Sequence, residues 1–185
     1  FNHYPRSLEE ATALLDKQKV DYLLLLDSDT IYSDNYHIQI HDTSDLSKEL
    51  EAEFRPGHFI GMLTVVLKYL NIVRPTNAYY GEKDYQQLLL IKKMALALFL
   101  ETEIVGCPTI RATDGLALSS RNSRLSLEQR AQASHFPSIL KLAPNSEEAM
   151  KQLNSLGFKV DYVADHWGRR LAAIHVGEIR LIDCL

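Results

Sequence analysis

Tyr80-Gly81-Glu82-Lys83-Asp84-Tyr85-Gln86-Gln87 is the stretch on which the reading of this chain turns. Ala78-Tyr79-Tyr80 has the composition of a strand and Gly81-Glu82-Lys83 that of a turn. Asp84 with Gln87 has the pattern of a capping box opening a long helix from Tyr85 to about Leu100. Residues 103–107 then read as a second strand. Strand, helix, strand in this order predicts parallel strands joined by a crossover helix. Ligands of such sheets bind beyond the carboxyl ends of the strands. A helix N-terminus placed there offers free backbone donors and a positive dipole to a phosphate. Lys83 would add a compact cation, and Gly81 would permit close backbone approach. The same residues also suit a plain connection, with Gly81 as the turn glycine, Asp84 as a cap and Lys83 as a solvated charge.

Toward the N-terminus, Ser7-Leu8-Glu9-Glu10 is a capping box ahead of the amphipathic positions Leu8, Ala11, Leu14 and Leu15. That helix should end near Lys17 and Lys19, where cations suit the negative helix end. Residues 20–26 are nearly all apolar, which predicts a strand covered on both faces. A loop over 27–34, a short strand over 36–40 and a helix over 44–54 are expected next. Arg55-Pro56-Gly57-His58 breaks the chain, and apolar residues then recur at helical spacing over 59–73 until Pro75.

Beyond Pro108 the character changes. A polar loop runs over 109–124, Ser126-Leu127-Glu128-Gln129 caps a helix, and a second helix lies around 146–156. Three strands follow over 158–163, 171–176 and 179–182, the last two joined by Gly177-Glu178 as a two-residue hairpin turn. The expected architecture is α/β: a Rossmann-like parallel sheet with helices on both faces over residues 1–108, and a smaller α+β domain over 109–185.

The 185 residues are 46% hydrophobic and 24% charged, which is ordinary globular usage and excludes a disordered or fibrous chain. The longest apolar runs fall far short of the roughly 20 residues of a membrane span. Phe1-Asn2-His3-Tyr4-Pro5-Arg6 has neither the cationic start nor the apolar core of a signal peptide. The net charge of −4 comes with no basic stripe, so no nucleic-acid partner is expected. Cys107 and Cys184 are too far apart in sequence for a metal-ligand pair and read as two free thiols in a reducing compartment. His37 and His41 sit in an alternating run where a spacing of four does not converge, so no metal site is expected.

Two further segments carry candidate chemistry. Leu118-Ser119-Ser120-Arg121 places two hydroxyls before a guanidinium, a clamp suited to a polyphosphate, in a long loop that could close over a ligand. It could equally be an exposed serine-rich connection. His58 could serve as a general base or ligand contact, or only cap and orient the helix after it.

Taken in order, these segments resemble the pantoate–β-alanine ligase family. The resemblance rests on Tyr4-Pro5-Arg6, Arg55-Pro56-Gly57-His58-Phe59, Leu63-Thr64-Val65-Val66-Leu67-Lys68 and Asn71-Ile72-Val73. It continues through Gly81-Glu82-Lys83-Asp84-Tyr85-Gln86-Gln87, Ile104-Val105-Gly106-Cys107-Pro108, Arg111, the stretch from Asp114 to Asn122, and Arg180-Leu181-Ile182-Asp183. It implies an ATP-dependent ligase that condenses pantoate with β-alanine through a pantoyl adenylate, with Mg²⁺ accompanying ATP, as a cytoplasmic homodimer with no nucleic-acid or membrane partner. Carried over by position, ATP would be bound by Gly81, Glu82, Lys83, Asp84, Ile110, Leu118, Ser119, Ser120 and Arg121. Of these, Lys83, Ser119, Ser120 and Arg121 would be catalytic. Pantoate would be held by Gln87 within a wall of Met62, Val65 and Val66, which at helical spacing also suit a core.

Members of that family carry an N-terminal Pro-Thr-Met-Gly-Ala-Leu-His-x-Gly-His segment, whose paired histidines attend the phosphates. This pattern does not occur in the 185 residues. Phe1-Asn2 resembles the end of an Asn-Pro-x-Gln-Phe stretch whose pantoate-holding glutamine would precede Phe1. Two other readings stand beside the ligase: another nucleotidyltransferase of the same superfamily, which Gln86-Gln87 disfavours, and a nucleotide-binding chain without the chemistry.

Overall fold

The computed structural model describes residues 8–185. The expected Ser7 cap and the Tyr4-Pro5-Arg6 segment lie outside the described residues. The chain divides into two compact units, Phe1–Ile38 and Gln39–Leu185.

In the first unit, α1 (Leu8–Lys17) ends where Lys19 turns left-handed at φ 57°. The Val20 N–H then reaches the Leu15 carbonyl at 3.0 Å and the Lys19 N–H reaches that of Asp16 at 2.9 Å, a Schellman closure. The strand expected over 20–26 does not form; these residues are irregular, and Tyr22 and Leu25 are exposed. Apolar side chains alone do not make a strand. Its backbone groups need a ladder partner, and residues 20–26 join no ladder among the described residues. Within the expected loop, Asp27 accepts a 2.7 Å bond from the Thr30 N–H and caps the one-turn α2 (Ser28–Ile31). Residues 36–40 are not a strand either, because Asn35 and Tyr36 both adopt positive φ, 51° and 61°, and turn the chain.

The second unit opens with another departure. The helix expected over 44–54 is split into a 3₁₀ turn (Asp45–Ser47) and α3 (Glu51–Phe54), separated at Leu50, where φ is 51°. Buried Gln86 occupies the break. Its amide donates to the Leu46 and Glu49 carbonyls at 2.8 and 2.9 Å and accepts from the Glu51 N–H at 3.2 Å, taking backbone groups that a continuous helix would pair internally.

The helix α4 (His58–Val73) follows, ending at Arg74 with φ 48° just before Pro75. It packs Phe59, Met62, Leu63 and Leu70 against Leu90, Ile91 and Met94 of α5 (Tyr85–Ala97). Strands β1 (Asn77–Gly81) and β2 (Glu103–Cys107) flank α5 in sequence and pair in parallel, from Asn77↔Glu103 to Gly81↔Cys107. This is the expected βαβ unit. Its capping box is not formed: Asp84 makes no side-chain cap bond, because the chain enters α5 through a 3₁₀ turn (Glu82–Asp84) that leaves Asp84 at φ −98°, ψ 55°. The Asp84 carboxylate instead lies 3.5 Å from the Lys83 ammonium.

Past β2, the expected loop is partly ordered by an antiparallel bridge between Arg111 and Ala117 and by a 3₁₀ turn (Ser120–Arg124). Ser126 and Gln129 form the expected capping box on α6 (Leu127–Ala133). A separate α7 (His135–Leu142) follows, which the sequence reading does not distinguish. Pro137 lacks the N–H that would bond to the Ala133 carbonyl, so a single helix cannot run through. After α8 (Ser146–Ser155), strands β3 (Lys159–His166), β4 (Arg169–Val176) and β5 (Ile179–Cys184) form an antiparallel sheet in that order. Trp167-Gly168 and Gly177-Glu178 turn the two hairpins; Trp167, Gly168 and Gly177 have positive φ. Alternation sorts the sheet's residues by face. Ala172, Ile174, Val176 and Leu181 join Phe136, Leu140, Ala149 and Leu153 in one core, whereas Tyr162, Leu171, Ala173 and Cys184 pack with Leu50 in another.

Candidate active site

Strand β5 lies against both 3₁₀ turns, Glu82–Asp84 and Ser120–Arg124, and so stands between the two segments that the sequence singled out. Two narrow crevices result, and Lys83 lines both. One gathers Lys83 with Ser119, Arg121, Asn122 and residues 180–183 of β5. The other gathers Lys83 with Asp84, Gln87, His58, Glu51 and Tyr162. Each encloses only about 10–20 Å³, room for roughly one water, so neither holds a whole nucleotide by itself.

The local structure explains the placement. Lys83 sits in the turn between the carboxyl end of β1 and the N-terminus of α5, and its side chain is mostly enclosed. Ser119 caps the opposing turn, its hydroxyl accepting a 3.2 Å bond from the Arg121 N–H. The Arg121 guanidinium donates to the Arg180 carbonyl at 3.5 Å. Buried Asn122 fastens the loop through a 2.9 Å bond to the Ala117 carbonyl. Lys83, 3.5 Å from Asp84, and Arg121, on a neutral carbonyl, thus face one crevice weakly compensated, which suits a polyanion.

The other sequence-predicted residues are placed less uniformly. Gln87 and Asp84 line the second crevice beside Lys83. Glu82 is turned to Arg169, with a 2.8 Å ion pair. Gly81, Ile110, Leu118 and Ser120 are exposed. Met62 is buried in the α4–α5 core, Val66 packs against that core, and Val65 is half-buried. His58 enters the second crevice, where burial, followed by the charge of Arg55, pushes its imidazole down to about 4. It is neutral at neutral pH.

Sequence reasoning assigned no role to the ionic groups behind the crevices. Buried Glu51 accepts both Arg180 Nη atoms, at 2.7 and 3.0 Å, and the Tyr162 hydroxyl at 2.9 Å. Arg180 Nε reaches Asp161 at 2.7 Å, and His175 lies 3.1 Å from the same carboxylate. Burial works against the Glu51 charge, but the Arg180 hydrogen bonds outweigh it and hold the carboxyl below its ordinary range. Arg111 grips buried Asp183 at 2.7 and 2.9 Å. The signal available in the sequence was two charges, Arg180 and Asp183, inside an otherwise apolar strand. A roomier open cleft of about 820 Å³ is lined by Arg111, Asp165, Arg169 and Arg170, but these arginines are committed to Asp183, Glu82 and Asp165. Weakly neutralised charge, more than volume, makes the Lys83 crevices the candidate site.

A family model described as pantoate-beta-alanine ligase matches residues 1–185. The chain belongs to the pantoate–β-alanine ligase family. A pantothenate synthetase of Legionella pneumophila (strain Corby) is 46% identical over 99% of this chain and 72% of its own length. One from Coxiella burnetii (strain Dugway 5J108-111) is 48% identical over 99% of this chain and 70% of its own. Among solved structures, a Francisella tularensis pantoate-beta-alanine ligase complexed with beta-gamma ATP and beta-alanine superposes with a TM-score of 0.93 at 40% identity, covering 98% of this chain and 70% of that one. Pantothenate synthetase from Thermus thermophilus gives 0.90 at 36%, covering 99% and 75%. The ligase fold is therefore α/β, with the parallel βαβ unit carrying Lys83 and the antiparallel sheet supplying β5. Among the described residues, no group of three His, Cys, Asp or Glu side chains is arranged to hold a metal ion.

Proposed function

We propose that the chain condenses pantoate with β-alanine, driven by cleavage of ATP. The observation that carries this reading is the convergence of Lys83, Ser119 and Arg121 on one crevice at the start of α5, in a chain of this family. In the first step a pantoate carboxylate oxygen attacks the α-phosphorus of ATP, and the bond to pyrophosphate breaks. In the second, the β-alanine ammonium gives up a proton to solvent, the free amine attacks the pantoyl carbonyl, and a second nitrogen proton leaves as the bond to AMP breaks and the amide forms. Both reactants of the first step are anionic, so the protein must supply positive charge and oriented donors. Lys83 and Arg121 provide the charge, and Ser119 and Ser120 the hydroxyls. Mg²⁺ arrives as part of Mg·ATP, held largely by phosphate oxygens and water.

Gln87 faces the same crevice system as Lys83 and would orient pantoate. Val65 and Val66 would give its methyl groups an apolar wall, with Met62 backing them from the core. Gly81, Glu82 and Asp84 complete the ATP side, Leu118 moves with the serine pair, and the exposed Ile110 offers its backbone to the adenine. We further propose a division of labour near Pro108: residues 1–108 bind nucleotide and pantoate, and 109–185 carry the Ser-Ser-Arg loop. The working form would be a cytoplasmic homodimer without nucleic-acid or membrane partners. Among the described residues, no single helix is long and apolar enough to cross a membrane.

The test is AMP formation from ATP and pantoate, with and without β-alanine. β-Alanine-dependent AMP with matching pyrophosphate is the expected outcome. ATP binding without pantoate-dependent pyrophosphate release would refute the ligase reading.

A further inference from the structure

Lys83 and Arg121 reach the first crevice from different turns, and both turns rest against β5. Its residues 180–183 line that crevice between the two cations. A strand at the edge of a sheet has ladder bonds on one side only, and among the described residues β5 pairs with β4 alone. Side chains tie it to the rest of the fold as well. Arg180 extends to Glu51 with two Nη bonds and to Asp161 with Nε, so each nitrogen of its guanidinium has a carboxylate partner. Glu51 sits at the start of α3, and its own N–H is fixed by Gln86, the neighbour of Gln87 on α5. The backbone carbonyl of Arg180 meanwhile accepts the Arg121 guanidinium. One residue therefore ties β5 to α3 through its side chain and to the serine-rich turn through its main chain.

We propose that Arg180 is a positioning residue for the ATP step, setting the spacing of Lys83 and Arg121 through β5. Its guanidinium has no charge to spare for a phosphate, because Glu51 and Asp161 neutralise it at close range. It acts through Arg121. Lysine would not replace it, since a single ammonium cannot straddle Glu51 with two bonds and reach Asp161 with a third. The role in catalysis rests on the ligase reading, whereas the role in holding the turn does not.

The experiment combines a mutant cycle with a substrate-free readout. Arg180→Met should raise the KM for ATP roughly tenfold, the scale of one lost charge-assisted hydrogen bond. Arg180→Lys should recover little of it. On an Arg121→Ala background, Arg180→Met should add less than twofold, because its route to ATP is already gone. Equal factors on both backgrounds would overturn the proposal. Without substrates, trypsin should cut after Arg121 or Arg124 several-fold faster in folded Arg180→Met than in the parent; an unchanged rate would also overturn it. If Arg180→Met does not fold, Asp161→Asn, which removes one of the two carboxylates, takes its place in both arms with the same criteria. An inactive parent protein would refute the ligase reading and leave the trypsin arm to decide the positioning role.

Discussion

Lys83 and Arg180 line the same crevice and are electrostatic opposites. Arg180 has two carboxylates within 3.0 Å, while the ion pair of Lys83 is a single 3.5 Å approach to Asp84. Arg111 resembles Arg180, because buried Asp183 takes two of its nitrogens. Arg121 resembles Lys83, with one long bond to a carbonyl. The difference separates cations that build the fold from cations left available to a ligand. A guanidinium enclosed by carboxylates has its field cancelled within the fold, and a weakly compensated cation at a crevice keeps its field for a ligand.

This comparison can be broken most directly at Arg111. Arg111→Ala leaves the Asp183 carboxylate buried without its counter-ion, which should cost about 3–5 kcal/mol of unfolding free energy. Urea melts followed by circular dichroism would show it, and a loss within about 0.5 kcal/mol, the range of an ordinary surface substitution, would mean that the pair contributes nothing. Lys83→Ala should behave in the opposite way. Its unfolding midpoint should stay near that of the parent, while adenylate formation falls by roughly 10²–10³-fold, equivalent to about 3–4 kcal/mol at the transition state. Pyrophosphate release in single turnovers reads this. Near-normal turnover would remove Lys83 from the mechanism.

A smaller effect should appear in the pH dependence of stability. His58 titrates at about 4 in the folded chain, but at about 6.5 once unfolded. Between those values the unfolded chain binds a proton that the folded chain refuses. Stability is therefore fully present above about pH 6.5 and declines as the pH falls toward about 4. Glu51 adds a decline in the same direction at lower pH, since its folded carboxyl is held down and its contribution is lost as the pH falls through that lowered value. Replacing His58 with Gln should flatten the upper part of the curve and leave the lower part in place. If urea midpoints from about pH 7 to about pH 4 keep the same slope in the variant, the buried neutral imidazole is not the cause.

The sequence anticipated these elements unevenly, and the reasons are local or distant in a way that can be traced. The βαβ unit and the Gly177-Glu178 hairpin were readable because composition, spacing and turn chemistry all lie within a few residues. Residues 20–26 have strand composition but not strand structure, because a ladder is a property of two segments and not of one. The break between Asp45–Ser47 and α3 was invisible for a similar reason: Gln86, far along the chain, occupies the carbonyls that would have continued the helix. At the candidate site, Lys83, Gln87, Ser119 and Arg121, singled out by type and order, line the two crevices. Glu51, Asp161 and Arg180 were assigned no role, because their pairing depends on how strands and helices far apart in sequence meet.

The smallest predicted effects bear on a pair of motifs that read alike and folded differently. Ser126 with Gln129 and Asp84 with Gln87 both have capping-box spacing. At Ser126 the box is complete: the hydroxyl accepts from the Gln129 N–H at 3.1 Å, and the Gln129 amide oxygen accepts from the Ser126 N–H at 3.0 Å. At Asp84 the preceding 3₁₀ turn prevents it, and the carboxylate faces Lys83. Ser126→Ala should therefore cost about 1 kcal/mol of unfolding free energy. Asp84→Ala, judged on stability alone, should stay within about 0.5 kcal/mol of the parent. A cost near 1 kcal/mol at Asp84, the usual scale of a lost cap, would mean that its carboxylate caps α5 in solution. That would draw negative charge to the helix start and weaken the case that this N-terminus is kept open for a phosphate.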